Sequence, residues 1–109
     1  MTSDKVSQAV TELLEFMNEA DKTAGTAHHG AWYELAGGRK YLRIAKHYIG
    51  SVDGGSVHCF VDAQTGSVYK PATWNAPALN GERYNLLDQK SVETLHSRWD
   101  PYGYYLYKG

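Results

Sequence analysis

Histidine, cysteine and carboxylate side chains are the first to weigh in this sequence, because nucleophilic and metal chemistry begin with them. The segment VHCFVDAQTGSVYKPATWNAP, residues 57–77, places the single cysteine, Cys59, beside His58, with Asp62 three positions on. A nucleophile, a base and an orienting acid are what covalent catalysis requires. In a strand, neighbouring side chains point to opposite faces, so His58 and Cys59 are expected to part. Cys59 would then share a core-directed face with Val57 and Val61, where a thiol is inert. His47 and His58 fall in neighbouring strands and would face each other across a hairpin, the beginning of a zinc site. Zinc asks for three or four converging ligands, and no C-x-x-C, H-x-x-x-H or H-E-x-x-H spacing occurs. His28 and His29 are adjacent and diverge. No G-x-S-x-G elbow, phosphate cradle or dinucleotide glycine pattern is present, and no carboxylate pair resembles a glycosidase site. The expectation is a chain with no catalytic residue, no cofactor and no metal.

The chain that must position these residues has 109 of them, enough for a single domain over 1–109 with one core. Charged residues make up 21% and hydrophobic residues 42%, a globular balance. The net charge of −1 hides an asymmetry. Residues 1–27 carry five acids against two bases, and residues 28–75 carry five bases (Arg39, Lys40, Arg43, Lys46, Lys70) against three acids. That basic excess is too thin for tight tracking of a phosphate backbone. A lone cysteine rules out an intrachain disulfide and fits a reducing compartment. The charged N-terminus reads as no secretory signal, and no apolar run is long enough to span a membrane.

Helical spacing of Val6, Ala9, Val10, Leu13, Leu14, Met17 and Ala20 predicts an amphipathic helix over 3–23, capped by Ser3 and ended at Gly25. Glu12, Glu15 and Glu19 fall on its solvated side. Phe16 lies off the stripe and either extends the core face or meets a partner. Thr26–Gly30 reads as a connector. Four strands are then expected, Ala31–Ala36, Arg39–Ile49, Ser56–Asp62 and Ser67–Lys70, forming an antiparallel meander over 31–70. Gly37-Gly38 suits a two-residue hairpin, and Ser51–Gly55 a longer loop. Asp62 and Gly66 frame a tight turn, the acid bonding the turn backbone and the glycine supplying positive φ. Residues 71–85 show no periodicity. A short helix capped by Ser91 is expected within 86–98, followed by a tail to 109. Four of the nine tyrosines lie between Tyr102 and Tyr107, where a fifth, edge strand or an ordered tail would end the chain.

Two binding surfaces emerge. The long loop and its flanks offer Lys70, Trp74, Asn75, Arg83 and Tyr84, and Trp, Tyr and Arg dominate protein interfaces. Trp74 can equally fold back and plug the core. The second surface is the sheet face away from the helix, where Tyr41, Arg43, His58 and Phe60 would align as single-stranded nucleic-acid platforms do. Residues 71–109 can instead cover that face and bury Phe60.

The run from Ser56 to Asp88 resembles a shared segment in a family of small bacteriophage proteins of uncharacterised function. The matching pieces are SVHCFVD at Ser56–Asp62, TGSVYK at Thr65–Lys70, ATWNAPAL at Ala72–Leu79 and RYNLLD at Arg83–Asp88. The N-terminal helix and Tyr-rich tail look compatible with longer members from phages of actinobacteria. Asn75 and Leu79 stand where the family carries lysines, which weakens phosphate binding through the loop. The resemblance implies a phage accessory protein in the host bacterial cytoplasm and brings no catalytic residue with it.

The sequence therefore predicts an α+β domain. An N-terminal amphipathic helix packs on a four- or five-stranded antiparallel sheet, with a long Trp-bearing loop and a short C-terminal helix. The expected role is non-enzymatic binding of a host or phage protein, with a homodimer through a Tyr-rich edge as an added expectation. The alternative is binding of single-stranded nucleic acid on the sheet face.

Overall fold

A computed structural model describes residues 2–23, 31–48, 55–79, 81–100 and 104–106. Helix α1 runs from Asp4 to Thr23. Ser3 caps it, its Oγ accepting the Val6 N–H at 3.2 Å, and Asp4 sits at the positive end of the helix dipole. The stripe of Val6, Val10, Leu13 and Met17 is buried. Each such side chain contributes about 1.5–3 kcal/mol when removed from water. Phe16 is partly buried and stacks on His96, ring centroids 3.9 Å apart, so it serves a contact between helices. The expected stop at Gly25, the 26–30 connector with His28 and His29, and the Ser51–Gly54 part of the next loop lie outside the described residues.

Five strands follow: β1 (Ala31–Leu35), β2 (Tyr41–Tyr48), β3 (Ser56–Asp62), β4 (Ser67–Tyr69) and β5 (Tyr84–Asn85). They form one antiparallel sheet in the order β1-β2-β3-β4-β5. With α1 and a second helix, α2 (Gln89–Arg98), this is an α+β domain. The β3–β4 turn is built as its residues demand. Asp62 Oδ1 accepts the N–H groups of Gln64 and Thr65 at 2.8 and 3.0 Å, and Gly66 takes φ +78°. The β1–β2 turn is wider than a two-residue hairpin, because its closing bond runs from the Arg43 N–H to the Gly37 carbonyl. Gly38 is fixed there at φ +108°, where an added Cβ would lie 2.1 Å from the Tyr41 carbonyl oxygen.

Three expectations change. The fifth strand comes from Tyr84-Asn85, inside the stretch expected to be irregular, and not from the tail. The described part of the tail, Tyr104–Leu106, is a 3-10 turn that buries Tyr105 and Leu106, so Tyr105 faces inward and forms no outer edge. Helix α2 is capped by Asp88, whose carboxylate accepts the Lys90 N–H, while Ser91 Oγ accepts the Asn85 N–H and secures β5.

The core lies between α1 and one face of the sheet, closed at one end by α2 and the tail turn. Tyr33, Leu42, Ile44, Cys59, Val61, Val68 and Tyr84 come from the sheet, and Leu95, Tyr105 and Leu106 from the C-terminal part.

Candidate functional site

The register explains what each sheet face presents. Ile44 faces Cys59, but the next pair is Ala45 with Val57, so β3 carries one extra residue, His58. Such a bulge breaks the strict alternation of side chains. His58 thereby joins Cys59 in facing the interior, and Val57 leaves the Cys59 face. His58 is buried, with Nε2 sharing a 2.8 Å hydrogen bond with Tyr105 Oη, and it packs on Tyr33 and Trp99. Tyr84 Oη donates to the Tyr105 carbonyl and the Tyr105 N–H to Asp100 Oδ2, which locks the tail turn over this end of the core. Burial lowers the His58 pKa to about 4, helped by the charge of Lys46 and opposed by Asp100. Burial also pushes the Cys59 thiol up to about 12 and the Tyr105 hydroxyl well above its usual value. Asp62 is occupied in the turn. Cys59, His58 and Asp62 therefore do not assemble a nucleophile with its base.

His47 lies on the other face from His58. Its ring stacks on Trp32 at 4.4 Å, and its Nε2 is 2.7 Å from Glu34 Oε2. The two histidines do not converge on a common ligand position.

Away from α1, the sheet carries Trp32 and His47 near one end and Tyr41, Arg43, Phe60 and Tyr69 near the other. Phe60 pairs with Arg43 on one side and Tyr69 on the other, and Tyr41 meets Tyr69 edge-on at 6.0 Å. Lys40 lies over the Tyr41 ring at 5.6 Å. The Trp74 loop folds back onto this patch. Pro71 and Pro77 bridge, Ala78 N–H donates to the Lys70 carbonyl, and Thr73 Oγ1 accepts the Asn75 and Ala76 N–H groups. Arg43 then pins the loop. Its Nε donates to the Trp74 carbonyl at 2.7 Å and its Nη1 to the Ala36 carbonyl at 2.8 Å. The guanidinium lies 4.7 Å from the Trp74 ring centroid and 5.9 Å from that of Phe60.

The two sets of residues singled out by sequence thus meet at Arg43–Trp74. Trp74 is 39% exposed and Asn75 is exposed beside it, with Lys70 half-buried at the loop base. Tyr41 and Arg43 are half-buried on the face. Three residues are not available to a ligand: Phe60 is 1% exposed, and His58 and Tyr84 are each 7% exposed. Arg83 is half-buried, and its N–H pairs with the Val68 carbonyl at the β5 side of the sheet. Trp32, 43% exposed, belongs to the same face and was legible only through its alternation with Tyr33 and Glu34. A shallow groove between α1 and Leu86-Leu87 is lined by Asp4, Lys5, Gln8 and Glu12 and offers mixed charge over a small apolar floor.

A helix on one face of a five-stranded antiparallel sheet, with the Trp74 loop fastened to Arg43 on the other, defines a small α+β domain. The chain belongs to a family of unknown function, DUF7717, which it matches over residues 1–108. No curated protein and no solved structure matches it. No helix among the described residues is long and apolar enough to cross a membrane.

Proposed function

We propose that this chain is a non-enzymatic accessory protein that binds another protein through the Trp74 loop and the sheet face beneath it. The observation that carries this reading is the presentation of Trp74. The residue is 39% exposed, yet its loop is closed by its own hydrogen bonds and fastened by Arg43. A preorganised aromatic anchor loses little conformational freedom on binding, and Trp and Arg are the residues that most often dominate interfaces. The enclosed His58, the inert Cys59 and the committed Asp62 support the absence of catalysis. The likeness of Ser56–Asp88 to small bacteriophage proteins supports a partner among host or phage proteins in the bacterial cytoplasm.

Burial of Phe60 and His58 weighs against single-stranded nucleic acid, because two of the four stacking and contact residues are removed from the surface.

The test compares wild type with Trp74→Ala as baits in bacterial lysate, followed by binding measurements with the purified captured protein. Wild type is expected to hold a partner that the variant loses. Equal capture by both would make the loop structural and sink the assignment. Affinity for a labelled oligonucleotide that falls steeply with salt would favour the nucleic-acid reading instead.

A further inference from the structure

Arg43 has five N–H donors and a fixed positive charge. The carbonyls of Trp74 and Ala36 engage Nε and Nη1 and leave Nη2 unused. Among the described residues no carboxylate pairs with this guanidinium. The acids that share its face are committed elsewhere, Glu34 against His47 and Asp62 in the β3–β4 turn. The cation is half-buried and held between the rings of Phe60 and Trp74. A guanidinium removed in part from water, fixed in direction and lacking a counter-charge is prepared for an anion.

We infer that Arg43 and Trp74 together form a receptor for an acidic side chain on the partner protein. The carboxylate sits on the free Nη2 edge of Arg43, and an apolar neighbour of that acid lies on the exposed Trp74 ring. This inference rests on the protein-binding reading and names the chemistry of the partner. A discrete carboxylate suits the site better than a nucleic-acid strand. A strand repeats its charge at every nucleotide and needs a row of cations, whereas this site offers one fixed guanidinium, with Lys40 placed over the Tyr41 ring.

The test is an NMR titration of the full ¹⁵N-labelled chain with a synthetic peptide of repeated Ala-Glu-Phe-Ala units. A counterpart with Gln for Glu and a short oligothymidylate are run in parallel. The Glu peptide is expected to shift the Arg43 Nε–H, the Trp74 indole N–H and the amides of residues 71–78. The Gln peptide should bind about tenfold or more weakly. Trp74→Ala, whose side chain is exposed, should keep the folded spectrum and lose the response. Arg43→Lys, which keeps charge but not the fork, should weaken the Glu peptide selectively.

Equal binding of the Glu and Gln peptides at Trp74 overturns the carboxylate assignment and leaves protein binding standing. Binding of neither peptide, or shifts confined to other surfaces, overturns the inference, while the lysate comparison separately decides the protein-binding reading. Stronger shifts of the same signals by oligothymidylate overturn both.

Discussion

The side-chain amide of Asn18 occupies the place of a neighbouring strand beside Tyr33. Asn18 Oδ1 accepts the Tyr33 N–H at 2.8 Å, and Asn18 Nδ2 donates to the Tyr33 carbonyl at 3.1 Å and to the Leu14 carbonyl at 2.9 Å. Strand β1 is an edge of the sheet, and Tyr33 directs its backbone groups outward. One helical side chain therefore satisfies the middle of an edge that would otherwise template another strand. Asn18→Leu keeps the size and removes the pairing. It is expected to destabilise the fold by about 1–3 kcal/mol, the cost of leaving buried polar groups unmet. Urea unfolding measures that cost, and light scattering should show more self-association than in wild type. An unchanged midpoint and a monodisperse sample would show that water replaces the amide without penalty.

His58 sets a pH dependence. Its pKa is near 4 when folded and 6.5 at its ordinary value. Between these values the unfolded chain binds a proton that the folded chain refuses. Stability from this group is therefore complete above pH 6.5, falls as pH drops, and levels off below about pH 4. The full span corresponds to about 3 kcal/mol. Urea midpoints across this range should decline more steeply for wild type than for His58→Gln, which retains a hydrogen-bonding partner for Tyr105. Parallel profiles for the two proteins would assign the decline to other groups.

Cys59 should be silent toward thiol reagents. It is fully enclosed, and burial pushes its pKa up to about 12, so thiolate is scarce at neutral pH. Ellman's reagent at pH 8 is expected to find no reactive thiol in the native protein and the single thiol in denaturant. Rapid native labelling would place Cys59 on a surface and reopen a nucleophilic role.

The residues that announced themselves in the sequence did so through local rules. The spacing of Val6, Val10, Leu13 and Met17 marked α1, and Asp62 with Gly66 marked the β3–β4 turn, because both patterns are set by neighbours in the chain. The placement of His58 was hidden, since one extra residue in β3 reverses the facing of everything before it and leaves no mark in composition. Strand β5 was hidden for a different reason. Tyr84-Asn85 is two residues long, too short for any periodicity, and is held by Val68, Ser67 and Ser91 from elsewhere. The Arg43–Trp74 pairing spans 31 residues along the chain. Both residues were visible as candidates, but on two surfaces that only the folded loop unites.

The sheet order has a kinetic meaning. Every strand lies beside the strand that precedes it, so β1 to β4 can form by successive hairpins, and only β5 waits on the long loop between Tyr69 and Tyr84. Chains whose contacts are near in sequence cross a lower entropic barrier and fold faster than those with distant pairings. The long-range events here are the docking of α1 onto the finished sheet and the closure of the tail turn over His58. Substitutions in the β2–β3 pair should therefore alter the folding rate, whereas those at Tyr105 should appear mainly in the rate of unfolding.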